Sequence, residues 1–247
     1  DVASVKYLYE HNPEVFKYSN YASCCKSEIE RRNKLQADYI RNCSGVFTMG
    51  KWLQEQLVNL YGMDANRMHH VGGGINMRTE LINDTHKQGN KLLFVGRDFE
   101  RKGGRVVFDA FEKLHQRCPE VELYVAGPIE DPIGHPVEGY HYMGDCTYEK
   151  TAQLYNMCDV FCLPSYFEAY GLVFVEALTF GLPCIGRNRC EMPYLIEDGR
   201  TGYLINDDDS DFLAYTMERL LGDKQIRENV RDRRDWYIKE YSWDTVA

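Results

Sequence analysis

The stretch "KLLFVGRDFERKGGRVVFDAFEKLHQRCPEVELYVAG", residues 91–127, decides the fold. It opens on "KLLFVG", a short apolar run of the kind that a strand buried on both faces requires. Val106, Val107, Ala110, Phe111 and Leu114 follow at helical spacing, and "VELYVAG" closes the stretch as a second buried strand. Parallel strands need a crossover of roughly a dozen residues or more, usually a helix, and this unit supplies one.

The same alternation continues toward the C-terminus. A Pro/Gly-rich loop, "GPIEDPIGHPVEG", leads to "YHYMG", and Thr147 stands where an N-cap would open the helix "YEKTAQLYNMC". "DVFCLPS" is the next strand. The helix after it must start near Gly171 and end before Gly181, because Gly suits a C-terminal cap and Pro183 forbids continuation. "PCIGR" and "YLI" are further strands on either side of the turn "EDGRTG", and "SDFLAYTMERLLG" and "DKQIRENVRDRRDWYIKEY" read as two closing helices. Strands alternating with helices over residues 91–205 predict a doubly wound α/β domain with a Rossmann-like parallel sheet, whose ligands bind at the carboxyl ends of the strands.

Toward the N-terminus the pattern is less regular. Residues 1–42 read as mostly helical and polar, with Ile29, Leu35, Ala37 and Ile40 set among charges. "SGVFTMG" is a short apolar run, and "KWLQEQLVNLYG" carries a stripe of Trp52, Leu53, Gln56, Leu57 and Leu60 that ends at Gly62. "MHHVGGGIN" reads as a strand entering a glycine turn. The adjacent His69 and His70 point to opposite faces, which argues against a shared metal. "MRTELINDTHKQGN" looks like a linker.

Composition bounds the function. A chain of 247 residues, 44% hydrophobic, can bury a sizeable core. Its formal charge of -9 argues against broad nucleic-acid binding, so an anionic ligand must be met by a few placed Arg or Lys. The nine cysteines, with Cys24 and Cys25 adjacent, form no CxxC pair and no Cys/His spacing suited to a structural metal; reduced thiols in a cytosolic protein are the expectation. No apolar run reaches the length of a membrane span, and "DVASVKYLYEHNPE" lacks the regions of a signal peptide. It also lacks a starting Met, which reads as a fragment.

Two loops at the predicted strand ends could carry chemistry. "VGRDFERKGG" holds Arg97 and Lys102, with Gly96, Gly103 and Gly104 keeping the backbone open; two cations beside a helix start suit a phosphate or diphosphate, although a solvated loop would look the same. "PSYFEAYGLVFVE" carries Glu168 just before a helix and Glu176 about one turn inside it. Both acids could serve only the helix dipole. That explains Glu176 poorly, since Val173, Phe174, Val175, Ala177 and Leu178 imply a buried helix in which an unpaired carboxylate is costly. A vicinal diol would supply such a carboxylate with two donors. The only Asp-x-Asp lies in "NDDDSD", residues 206–211, where capping the next helix is the natural role.

Residues 40–245 resemble the retaining GT-B glycosyltransferases that use nucleotide sugars. "VGRDFERKGG" is similar to the family's Gly-Arg…Lys-Gly loop, "EAYGLVFVE" to its Glu-x7-Glu motif, and "CDVFCLPSYFEAYGLVFVEALTFGLPCI" follows its pattern almost without a gap. The resemblance implies a GT-B fold and transfer of a sugar from a nucleotide-diphosphate sugar to an acceptor hydroxyl with retention of configuration. It implies that Gly96, Arg97 and Lys102 meet the donor diphosphate, that Glu168 holds a hydroxyl of the transferred sugar, and that Glu176 accepts from the ribose diol. Backbone amides of Tyr170, Gly171, Leu172 and Val173 would lie along sugar and diphosphate, with catalysis resting on Glu168, Arg97 and Lys102. The base would be met by backbone groups around Gly144 to Cys146. No metal or other cofactor is implied.

The resemblance divides the chain into the end of an acceptor-side domain (residues 1–77), a donor-binding domain (78–230) and a C-terminal helix crossing back (231–247). A full member is about twice the donor domain in size, so most of the acceptor-side domain is expected to be missing, and the chain should bind donor more credibly than it turns it over. The acceptor, whether saccharide, lipid-linked glycan or small molecule, is not named by the residues, and neither are base and sugar. The expected location is the cytoplasm or the inner face of a membrane. "RDRRDWYIKEY" could offer a peripheral membrane face, but its interleaved acids favour a solvated helix. Where the family reads Pro-Glu, this chain has Pro193-Tyr194, and Tyr194 stays unassigned. Two other readings compete. A dinucleotide-dependent oxidoreductase or epimerase needs GxGxxG directly after the first strand, whereas "GGGIN" precedes the linker. The other is a non-catalytic nucleotide-sugar binding module.

Overall fold

The computed structural model describes residues 2–17, 19, 21–83 and 89–246. Its main sheet has six strands, all parallel: β3 (Lys91–Val95), β4 (Glu122–Ala126), β5 (Tyr140–Gly144), β6 (Val160–Cys162), β7 (Cys184–Arg187) and β8 (Gly202–Ile205). They lie in the spatial order β5-β4-β3-β6-β7-β8, which is the doubly wound order reversing between β3 and β6. The apolar runs form the centre of this sheet because only strands covered on both faces can be apolar throughout. Leu92, Leu93, Phe94, Val160, Phe161 and Cys162 are fully buried.

The helices that cover the sheet are α5 (Gly104–Arg117), α6 (Tyr148–Met157), α7 (Leu172–Thr179) and α9 (Ser210–Gly222), with the short α8 (Met192–Leu195) between β7 and β8. All five apolar positions read on α5 are buried. Thr147 caps α6 through Lys150 N–H, and Asp209 of "NDDDSD" caps α9 through the amides of Asp211 and Phe212. The entry of β3 is held by a residue the sequence did not single out. The buried Asp159 carboxylate accepts from the amides of Gly89, Asn90 and Lys91 at 2.9–3.1 Å, fastening the starts of β3 and β6 together.

The N-terminal region comprises α1 (Val2–His11), α2 (Pro13–Phe16), α3 (Lys26–Arg41), β1 (Val46–Thr48), α4 (Lys51–Tyr61) and β2 (Met68–His70). β1 and β2 pair in parallel as a separate two-stranded sheet. Of the predicted α4 stripe, Trp52 and Leu57 are buried, whereas Leu60 is 56% exposed; of the apolar residues on α3, Leu35 is exposed too. Gly62 closes α4 in the left-handed conformation, as its position predicted.

The segment read as a linker is anchored along the part that is described. Met77 is buried, Leu81 and Ile82 pack on the main core, and Asn156 bonds both Leu81 O and Asn83 N–H. Residues 84–88 of that segment lie outside the described residues. The last predicted helix is two, α10 (Lys224–Asp232) and α11 (Arg234–Glu240), parted at Arg233, whose guanidinium lies over Trp236 and Tyr237 and pairs with Glu197. A final turn, α12 (Trp243–Val246), returns to the glycine turn: a Cβ on Gly74 would sit 2.3 Å from the Trp243 ring, and Ile75 N–H donates to Tyr241 O. The cysteines are free thiols, four of them buried, and no described helix is long and apolar enough to cross a membrane.

Candidate functional site

The loops after β3 and β6 meet where the strand order reverses. Gly103 opens α5 with φ +77°, and a Cβ there would sit 2.5 Å from Pro164 O, so only glycine lets the two loops come this close. Arg101 then links them, donating to Phe167 O at 2.9 Å while its own carbonyl accepts from Tyr166 N–H at 3.1 Å. On the other side, Gly127 at the end of β4 brings the backbone so near Gly96 that a Cβ would lie 2.7 Å from Gly96 C.

Between these loops and the end of β5 lies a cleft of about 450 Å³. Gly96, Arg97 and Lys102 form its wall on the β3 side, Asp145, Cys146, Thr147 and Tyr148 on the β5 side, and Val173 and Glu176 on α7. A larger cavity of about 500 Å³ lies elsewhere, against α2 and Tyr166, Arg187 and Asp208, and contains none of the expected donor residues. There the buried Arg187 is committed to Asp208, Pro164 O and the Tyr166 ring.

The charged groups of the cleft are arranged in pairs. Arg97 is 77% exposed and reaches both oxygens of Asp145 at 3.2 Å, an arrangement that solvent keeps weak. Lys102 is mostly buried and is paired with the buried Glu168 carboxylate. Glu176 is 8% exposed; its Oε2 accepts from Tyr155 Oη at 3.2 Å. Burial pushes the Glu176 carboxyl up to about 7, against the opposing pull of the Tyr155 hydrogen bond. Gly171, with φ +87°, opens α7; Phe174 N–H donates to Gly171 O at 2.9 Å, and the Leu172 and Val173 amides before it have no acceptor within the helix.

Of the residues expected from the sequence, Gly96, Arg97, Lys102, Val173 and Glu176 line one cleft. Glu168 is joined to it through Lys102. Gly171 and Leu172 stand at the start of α7. The Tyr170 side chain turns away toward the glycine turn, where its hydroxyl accepts from Gly73 N–H at 2.9 Å. Of Gly144 to Cys146, Asp145 and Cys146 line the cleft. The place of the Asp145 side chain opposite Arg97, Tyr148, and Tyr155 behind Glu176 were not singled out from sequence; the only signal for Tyr155 was that a buried Glu176 needs a donor. Tyr194 bonds Glu55 of α4 and takes no part in the cleft. Among the described residues no group of three His, Cys, Asp or Glu is arranged to hold a metal ion.

The family model "Glycosyl transferases group 1" matches residues 78–235. Among curated proteins, the phosphatidyl-myo-inositol mannosyltransferase of Mycolicibacterium smegmatis is 28% identical over 174 residues, covering 68% of this chain and 45% of that protein. The D-inositol 3-phosphate glycosyltransferase of Paenarthrobacter aurescens is 25% identical over 214 residues, covering 78% and 52%. The chain thus spans about half the length of these relatives. Among solved structures, sucrose-phosphate synthase from Thermosynechococcus elongatus superposes with a TM-score of 0.72 at 20% identity over 100% of this chain and 63% of that one. Anabaena HepE in complex with UDP and glucose gives 0.71 at 17%, over 88% and 64%. The fold is therefore that of the GT-B glycosyltransferases.

Proposed function

The chain belongs to the glycosyl transferases group 1 family, and from that premise we propose that it is the donor-binding half of an enzyme that moves a sugar from a nucleotide-diphosphate sugar to an acceptor hydroxyl, with retention of anomeric configuration. The observation that carries this reading is the convergence of Arg97, Lys102, Glu176 and the start of α7 on one cleft at the strand-order reversal. The HepE complex holds UDP and glucose, which makes a uridine nucleotide the first to try.

In this reading the site holds its charges as pairs that the donor exchanges. The diphosphate takes Lys102 from Glu168 and Arg97 from Asp145, and the released Glu168 accepts from a hydroxyl of the sugar. Glu176 accepts from the ribose diol. As the sugar–phosphate bond breaks, negative charge grows on the leaving diphosphate, and the two cations and the first amides of α7 stabilise it with little reorganisation. The acceptor enters from the partner half; since the names of two relatives carry inositol acceptors, an inositol hydroxyl is the first to test. The place of action is the cytoplasm, at the inner face of a membrane where the acceptor is a lipid.

Calorimetric titration of this chain with UDP, GDP and ADP tests the reading. One nucleotide should bind, and Arg97→Ala should weaken it; no affinity for any of the three would end the proposal. Slow hydrolysis of the matching nucleotide sugar marks an enzyme site, whereas binding without any hydrolysis or transfer favours a non-catalytic module.

A further inference from the structure

A side chain that touches no solvent stands behind Glu176. The Tyr155 ring is fully buried beside Phe161 and Phe180, at centroid distances of 6.1 and 5.4 Å, and a buried phenol must find hydrogen-bond partners. Its hydroxyl reaches two acceptors on α7, Glu176 Oε2 at 3.2 Å and Val173 O at 3.4 Å. Both residues also line the cleft, so the hydroxyl meets the ligand wall from its core side. A phenol carries one proton, which these two acceptors compete for.

We infer that Tyr155 is a positioning residue: by donating to Oε2 it orients the Glu176 carboxylate with its remaining acceptor sites toward the cleft, and it thereby sets the preference of the site for a nucleotide with a vicinal diol over its 2′-deoxy counterpart. The inference rests on the donor site proposed above and adds a specificity determinant to it. Packing alone would be served equally by phenylalanine. The hydroxyl matters because burial pushes the Glu176 carboxyl up to about 7 and this hydrogen bond opposes the shift. Without it, the carboxyl would hold a proton over a wider pH range, and a protonated carboxyl accepts less well from a diol. The other titratable groups facing the cleft are Arg97 and Lys102 from the loop after β3, and Asp145, Cys146 and Tyr148 from the stretch after β5; Cys184 of β7 lies near the Tyr155 hydroxyl.

The test compares a nucleoside diphosphate, whichever of UDP, GDP and ADP binds best, with its 2′-deoxy form by calorimetry between pH 5.5 and 8.5. Wild type should prefer the ribonucleotide. Tyr155→Phe should reduce that preference by about 3- to 10-fold, the worth of one hydrogen bond, and move the binding midpoint to higher pH. Glu176→Gln should remove the preference, and adding Tyr155→Phe to it should change nothing further. A folded Tyr155→Phe protein that keeps both preference and pH midpoint overturns the inference and leaves the donor site standing. A wild type that binds a ribonucleotide and its deoxy form equally overturns the Glu176 assignment, and the role of Tyr155 with it.

Discussion

The two α/β regions of this chain are built from the same kinds of element and held in different ways. The region around the six-stranded sheet has a continuous core running from Ile75 to Tyr237, with strands covered on both faces. The region before it has a two-stranded sheet and two small clusters, one around Ala37, Leu57, Met63 and Met68, the other around Val5, Leu8, Val15, Phe16 and Ile29. Two strands cannot bury enough on their own to be independently stable, and Phe47 on β1 is 72% exposed. The small region instead borrows polar contacts from the large one. Buried Glu191 accepts from the amides of Lys51 and Trp52 at 2.9 Å, capping α4 from across the molecule, and Tyr170 holds Gly73. Gly50 is what admits that cap, since a Cβ there would lie 2.5 Å from Glu191 Oε2. One region is stabilised by its own core, the other by its attachments.

The strongest way to break this contrast is to cut into each core. Phe111→Ala, on α5, should cost about 3–5 kcal/mol in denaturant unfolding, whereas Leu57→Ala should cost about 2–3 kcal/mol, nearer the low end of core truncations. The large-core variant should lose nucleotide binding as it unfolds and the small-core variant should keep it; binding lost equally in both would mean the regions fold as one.

Within the large region, the two cations should separate binding from stability. Arg97→Ala should weaken nucleoside diphosphate binding by about 10- to 100-fold, as expected for hydrogen bonds to a charged group, with an unchanged thermal midpoint. Lys102→Ala should weaken binding comparably and also lower the midpoint, because it leaves the Glu168 carboxylate buried without its partner.

The attachment itself is tested by Glu191→Ala, which should cost about 1–2 kcal/mol as the loss of a helix cap. Hydrogen exchange should quicken at residues 51–61 and not at 91–126; uniform quickening would argue against a local clasp. A pH-dependent effect follows from Glu176. Its carboxyl, raised to about 7 in the fold and ordinary when unfolded, binds more protons in the native state. Its contribution therefore falls as pH rises from about 4.5 through about 7. Glu176→Gln should accordingly flatten the loss of stability over that window while losing affinity for nucleotide. The smallest effect is expected at Tyr194→Phe, whose exposed bond to Glu55 should be worth less than about 0.5 kcal/mol.

Much of the large region was legible in residue order because its signals are local. Apolar runs, the helical spacing on α5, the cap at Thr147, and Gly171, Gly181 and Pro183 around α7 each act over a few residues. In the small region the stripe read on α4 misled only at Leu60, which stays exposed although Trp52 and Leu57 are buried, and Leu35, set among charges without a strict period, is exposed as well. The break at Arg233 was hidden by a continuous helical pattern, and the residue at the break pairs with Glu197, 36 positions away. In the site, the Arg97–Lys102 loop and the two acids were readable as candidates, but the partner of each was not.

By itself the sequence determined the order of strands and helices, the position of the α7 start, and the residue types offered at the strand ends, since these follow from hydrophobic period and turn chemistry along the chain. Only the tertiary structure decided that Lys102 pairs with Glu168, that Tyr155 stands behind Glu176, and that Glu191 caps a helix 139 positions earlier. Those pairings depend on which buried polar groups the packed sheet brings within hydrogen-bond reach, and sequence separation carries no record of that.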